Sequence, residues 1–358
     1  MRSVHRLSVT DDLKYATRRL AAGVLFASGA TGVYRRLALR ERVVVLMYHR
    51  VIPLDDEKAA VGTYEGMQVD PGTFEHQMAY LRKHFRLLSL ASLRRHLQER
   101  NPFPTNSCLV TFDDGWKDNY THAYPILKRH EIPAVIFLSV GHIGTRKRFW
   151  QERIFSALHG IRGAARRDPG IPARYGTLPE EIKIEELSAL PEGKFRKEVW
   201  EQIRSLKKLP LSRIEPIVNA IEACMGTIGG PSSEGDSFLS WEDIEEMSRG
   251  GIDFGSHGLN HEILTNVSAG EVRKEVLDSR RIIEGRIQKS VYAFSYPNGD
   301  NDPAVRQCIG ECGYEIAFGT RRGFAGADDD PLSLKRMNVH DDVTREVPMF
   351  LSSILGMI

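Results

Sequence analysis

Three short apolar runs, residues 43–49 (Val-Val-Val-Leu-Met-Tyr-His), 108–112 (Cys-Leu-Val-Thr-Phe) and 134–138 (Ala-Val-Ile-Phe-Leu), alternate with segments whose apolar residues recur at helical spacing. Strands that alternate with helices build a parallel sheet, because each connection must cross back over the sheet. Between the runs, Asp70-Pro71-Gly72-Thr73 opens a helix to about Leu81, and residues 85–88 read as a short strand. Ser89 or Ser92 caps a helix to about Gln98, and a further helix spans 119–130. The rhythm breaks over residues 149–238, which are helical in pattern, with amphipathic stretches at 194–209 and 211–225 and a loop at 229–236. Ser240-Trp241-Glu242-Asp243 resembles a capping box that restarts the alternation. Strands follow at 252–256, 291–295, 316–319 and 335–340, with helices at 268–286 and 304–312. The 358 residues exceed the roughly 250 of a single α/β barrel, so a barrel carrying a helical insertion fits.

A net charge of +2 leaves no nucleic-acid footprint, and 41% hydrophobic with 27% charged residues is ordinary for a globular chain. Cys108, Cys224, Cys308 and Cys312 form no CxxC pair and read as reduced, structural thiols. Residues 20–34 are mildly apolar but short for a spanning helix, which needs about 20 residues. Flanked by Arg18-Arg19 and Arg35-Arg36, this region reads as an amphipathic helix over about 12–39. That helix either packs on the barrel or lies on a membrane surface, and a cleaved signal peptide is the weaker reading. The location expected is therefore cytoplasmic or peripheral to the inner membrane.

The polar residues at strand ends carry the chemistry. Two adjacent carboxylates, Asp113 and Asp114, close the second run and are followed by a turn at Gly115. Paired like charges at a buried strand end are costly unless a cation lies beside them or one acts as a base. About 140 residues on, Ser256-His257-Gly258-Leu259-Asn260-His261 supplies two histidines at i, i+4, a spacing that one helical turn would place on one face. One carboxylate with two histidines leaves an open position for water, and the second carboxylate can take its proton. His49, Tyr296 and His340 join the set at other strand ends, which in a parallel barrel converge on one face.

These blocks resemble the polysaccharide deacetylases with a NodB-homology domain, carbohydrate esterase family 4. Thr111-Phe112-Asp113-Asp114-Gly115 matches the family's first motif and residues 256–261 look like the second. Residues 47–51 and 294–299 are similar to blocks of a large branch of the family, and the resemblance spans about 43–345. It implies an α/β fold, a distorted (β/α)7-type barrel over 43–345 with an insertion at about 149–238. Residues 1–42 would form a preceding helical region and 346–358 a tail or helix. Asp113 would be the general base, and Asp114, His257 and His261 the ligands of a divalent metal, Zn2+ first, with Co2+, Ni2+ or Mn2+ as alternatives. Metal-activated water would attack the acyl carbonyl, the Tyr296 backbone would help hold the oxyanion, and protonated His340 would donate to the leaving amine.

Two departures stand out. No arginine occurs in the third-motif block to support Asp113, and Arg336 is the candidate replacement. The last motif, usually Leu-x-His, reads Asn338-Val339-His340, so His49 competes with His340 as acid or substrate contact. Trp116, next to the motif glycine, is a candidate wall for a sugar groove or a packed loop residue. The expected function is metal-dependent removal of an N-acyl group, most simply N-acetyl, from an amino sugar in a glycan or glycolipid. The alternatives are deformylation or deacetylation of a lipid-linked sugar at a membrane face, and a non-catalytic glycan-binding barrel.

Overall fold

The computed structural model describes residues 9–54, 63–64, 66–168, 182, 189–226 and 238–358; the loop expected at 229–236 lies outside them. The chain divides into two compact units. The larger takes residues 1–55, 65–145 and 236–358, and the smaller takes 56–64 and 146–235.

The larger unit begins with helices α1 (Val9–Ala27) and α2 (Ala30–Ala38). The single helix expected there is broken at Gly29, whose φ of 77° a residue with a Cβ adopts only under strain. The strands are β1 (Arg42–Tyr48), β2 (Arg50–Val51), β3 (Gln68–Val69), β4 (Arg86–Leu87), β5 (Ser107–Phe112) and β6 (Ala134–Leu138). They continue with β7 (Asp253–Ser256), β8 (Ala293–Ser295), β9 (Ile316–Phe318), β10 (Ala325–Gly326) and β11 (Met337–Asn338). The main sheet runs β10-β1-β5-β6-β7-β8-β9, parallel except for β10, with β4 alongside β5 and β11 alongside β1. This is the curled parallel sheet of a distorted (β/α)7-type barrel. The far edges are drawn together by the segment around β11: Leu334 bridges Phe318 of β9, and Met337 and Asn338 pair with Leu46 and Met47 of β1. Arg336 lies between those two attachments.

The helices form where the local signals put them. Asp70 accepts from the Gly72 N–H at the start of the helix Pro71–His84, and Ser89 accepts from Ser92 at the start of Leu90–Gln98. Ser240 and Asp243 make both bonds of a capping box, as do Ser268 and Glu271. Residues 119–130 depart from a single α-helix: Asn119–Ala123 is one π-helical stretch that runs into the helix Tyr124–Arg129.

One core cluster gathers Val43 and Val45 of β1, Leu109 of β5, Val135 and Phe137 of β6, Ala293 of β8 and Ile316 and Phe318 of β9. Side chains two apart on a strand share a face. The rows Val43-Val45, Leu109 and Ala293 therefore lead, at the carboxyl ends, to His49, to Thr111 and Asp113, and to Ser295. The apolar floor of the barrel thus aims these polar residues into one space.

The smaller unit is helical. Its described helices are Trp150–Arg167, Glu192–Leu206 and Leu211–Gly226, packed around Ile154, Phe155, Leu158, Phe195, Val199 and Ile203. Arg153 ties the first to the third through Glu215, Asn219 and Glu222.

Candidate active site

Asp113 still belongs to the sheet: its N–H donates to the Tyr48 carbonyl at 3.0 Å. Asp114 begins the turn with φ 80°, and Gly115 follows at 81°. A Cβ on Gly115 would lie 2.9 Å from the Leu138 side chain, so the motif glycine is required by space as well as by φ. The reversal sends two neighbouring carboxylates to different partners.

Asp113 is held by Arg336. The guanidinium donates from Nη1 to Oδ1 at 2.8 Å and from Nη2 to Oδ2 at 2.7 Å, a two-pronged pair. The Arg336 Nε–H donates to the Gly319 carbonyl, Nη1 also reaches Thr111 Oγ1, and Nη2 reaches Ser295 Oγ. Ser295 Oγ in turn donates to Asp113 Oδ2 at 3.2 Å. Arg336 is 1% exposed, so this is a fully desolvated ion pair with every donor group occupied. The arginine missing from the third-motif block is replaced from the barrel seam, and a serine stands in that block instead. Burial alone would push the Asp113 carboxyl up; the charges of Arg336 and His257 outweigh it and hold the group below the usual carboxylate range.

Asp114 faces the histidines. Its Oδ1 lies 3.4 Å from His257 Nε2 and 3.4 Å from His261 Nε2. That is long for a hydrogen bond. It matches the separation of about 3.3–3.4 Å between two ligands bound at about 2.0–2.1 Å to a tetrahedral ion. One donor atom from each of Asp114, His257 and His261 falls within 4.8 Å of the others. His257 Nδ1 is bonded to the Ser295 carbonyl at 2.7 Å, so Nε2, which faces the carboxylate, is the nitrogen that would give its lone pair to a bound cation. The donor set therefore fits a divalent cation. Against burial, which would raise it, the two histidines hold the Asp114 carboxyl well below its ordinary value.

The histidine pair is not on a helix. Residues 257–263 have no regular structure, and His261 itself has φ 58°. The loop is shaped by Glu275 of the helix Ala269–Ile287, whose Oε2 accepts from the N–H groups of Leu259 and Asn260 at 2.8 and 2.9 Å and whose Oε1 accepts from Asn260 Nδ2. The two histidines thus come together as the i, i+4 spacing suggests, but on a loop and not on a helical turn. No sequence signal pointed to Glu275, which lies inside an otherwise ordinary amphipathic helix.

Trp116 is not a groove wall. It is buried, stacks on Phe238 at 4.6 Å, and donates from Nε1 to Asp114 Oδ2 at 2.8 Å. The Arg50 guanidinium lies 4.4 Å over its ring and is paired with Asp118. Trp116 thus occupies the carboxylate oxygen that the histidines leave aside. Tyr296 does not serve as expected either. Its N–H donates to Phe318 within the sheet and its hydroxyl donates to the Leu332 carbonyl, so its backbone donor is committed to the fold. The strand-end tyrosine is a core residue ahead of the turn at Pro297.

The two remaining histidines differ. His49 feels the charges of Asp114, Asp113, Arg336 and His257, which places it at the cluster, and burial lowers its pKa against the pull of the carboxylates. That direction favours the neutral imidazole. His340 follows β11, beside β1, and pairs through Nδ1 with Asp342 Oδ2 at 3.0 Å. Asp342 also accepts from the Gly66 N–H.

A curled parallel sheet with a supported carboxylate and an Asp-His-His cluster at its carboxyl ends defines a barrel hydrolase. Residues 100–172 and 218–317 match the family model described as polysaccharide deacetylase. YxkH of Bacillus subtilis, described as a polysaccharide deacetylase, is 19% identical over 302 residues, 83% of this chain and 71% of its own. The poly-beta-1,6-N-acetyl-D-glucosamine N-deacetylase of Staphylococcus epidermidis is 30% identical over 113 residues, which cover 30% of this chain and 39% of the enzyme. Among solved structures, the Streptococcus pyogenes deacetylase PplD in complex with acetate has the same fold, with a TM-score of 0.56, 19% identity, and coverage of 87% of this chain and 98% of that one. The chain belongs to the polysaccharide deacetylase family and is a hydrolase of that kind.

Proposed function

We propose that the protein removes N-acetyl groups from N-acetylglucosamine units of a polysaccharide, with a divalent cation, Zn2+ first, held by Asp114, His257 and His261. The observation that carries this reading is the division between the two carboxylates: Asp114 Oδ1 is equidistant from two imidazole Nε2 atoms, and Asp113 is bound by Arg336 instead. The staphylococcal relative is named for the same chemistry on poly-beta-1,6-N-acetyl-D-glucosamine, which supports the substrate class. A bound cation supplies Lewis-acid polarisation and lowers the pKa of water. Asp113, kept ionised by Arg336, takes the proton from the attacking water. His340, oriented by Asp342, gives a proton to the departing amine, while neutral His49 offers a hydrogen bond to substrate. Co2+, Ni2+ or Mn2+ would satisfy the same donors.

The test is acetate release from N-acetylglucosamine oligomers. It is expected to stop on chelation and to return when Zn2+ or Co2+ is added. Release that is indifferent to chelator would remove the metal from the account. If no release occurs and no metal binds, a non-catalytic glycan-binding barrel takes its place. The Trp116 contact gives a finer check. Trp116→Phe keeps the ring on Phe238 and removes the donor to Asp114, so zinc affinity should fall roughly 10- to 100-fold with little change in Tm. Unchanged affinity by calorimetric titration would show that the bond does not hold the carboxylate in place.

A further inference from the structure

The exposed apolar surface of the larger unit is concentrated on α1 and α2. Among the described residues, seven of the eleven large hydrophobic side chains that stand exposed lie between Leu13 and Leu37. Leu13, Leu20 and Val24 on α1, and Val33 and Leu37 on α2, are 59% to 71% exposed. Their spacing is not scattered. Positions 13, 20 and 24 form one stripe along α1, and the buried Ala22 lies on the opposite side. On α2, Val33 and Leu37 form a second stripe with Tyr34 at its margin, while buried Thr31 and Arg35 face the other way. The inward sides are anchored: Phe26 meets Tyr80, Arg35 lies over Phe85, and Arg19 pairs with Glu346. Each helix is therefore fixed on one side and presents a bare apolar stripe on the other.

The charges around these stripes identify what covers them. Residues 13–42 carry seven lysines and arginines and one acid, Glu41, in a chain whose net charge is +2. Lys14, Arg18, Arg36, Arg40 and Arg42 are exposed. A second copy of the chain would bring the same basic surface against itself, which disfavours a two-fold contact. Among the described residues, these apolar side chains stand along the outer sides of the two helices, opposite the buried positions, which suits a flat partner better than an inserted peptide. Apolar stripes bordered by arginines, with Tyr34 at the boundary, match an anionic lipid surface, where side chains enter the acyl boundary and guanidinium groups meet headgroup phosphates. No described helix is long and apolar enough to cross a membrane.

We infer that α1 and α2 are an interfacial anchor that docks the protein on anionic bilayers. The test is flotation of the full chain with vesicles of phosphatidylcholine alone or mixed with phosphatidylglycerol, and it reads out independently of the deacetylase assignment. Wild-type protein is expected to float with the anionic vesicles, less with the neutral ones, and to be released by high salt. Leu20→Glu with Val24→Glu, and separately Val33→Glu with Leu37→Glu, should each weaken partition by roughly ten-fold or more, because they take two apolar side chains out of the lipid. Arg36→Glu should reduce binding to anionic vesicles only. All the substituted sites are exposed, and unchanged Tm and unchanged turnover of soluble oligomer serve as the folding control. Wild-type protein that stays unbound, or glutamate variants that float as well as wild type, would overturn the inference. So would a wild-type dimer that the same glutamates dissociate, which would assign the face to a second copy.

Discussion

Asp113→Asn is expected to lower the turnover of an N-acetylglucosamine oligomer by about 10²–10⁴-fold, the range for loss of a positioned general base, while zinc remains bound. The asparagine has the shape of the aspartate but cannot accept a proton at neutral pH. It also leaves the Arg336 guanidinium with no counter-charge in a site from which water is excluded. Removing one partner of a buried pair costs about 3–5 kcal/mol, so a fall in Tm should accompany the loss of rate. Rate and stability must therefore be measured on the same preparation at a temperature where the variant is fully folded.

Arg336→Met should have the second largest effect, and it separates support of the base from the base itself. Five donor contacts are lost, and Asp113 becomes a buried carboxylate with only Ser295 and the neighbouring histidine charge to hold it. Stability should fall by about 3–5 kcal/mol at neutral pH. The pH dependence follows from the direction of the shift. The folded-state pKa of Asp113 is depressed, so its contribution is present above the unfolded carboxylate value of about 3.9 and is lost as pH falls through the lower folded value. In the variant, burial acts with no guanidinium to offset it and the folded pKa rises. The stability gap between wild type and variant should be widest at neutral pH and should narrow in acid. The acid limb of the rate profile should move to higher pH by the same logic. Arg336→Lys restores charge but not the two-pronged contact, so it should recover only part of either effect. An acid limb that stays in place in Arg336→Met would separate the arginine from the ionisation of Asp113.

What could be read from the chain beforehand follows the distance over which each signal acts. The strand at 134–138 and the capping box at Ser240–Asp243 were legible because pattern and caps are local. That Asp113, Asp114, His257 and His261 would meet in space was legible because strand ends converge in a parallel barrel. The geometry of the histidine pair was not, because the same spacing is met by a loop that a distant glutamate holds open. Arg336 was visible only as a candidate: it sits between two short attachments in the barrel seam, where no strand pattern marks which way a side chain points. Trp116 stayed open between groove wall and packed loop residue, and Tyr296 was expected at the oxyanion, because an aromatic residue beside a motif looks the same in sequence whether it faces solvent or core. For Trp116 the deciding fact was a single hydrogen bond inward, to Asp114.

Zinc stoichiometry of purified variants tests most directly whether the two adjacent carboxylates do different work. Wild type and Asp113→Asn are each expected to bind one zinc per chain, and Asp114→Asn to bind none under the same conditions. Loss of zinc from Asp113→Asn, with retention in Asp114→Asn, would contradict the division of labour.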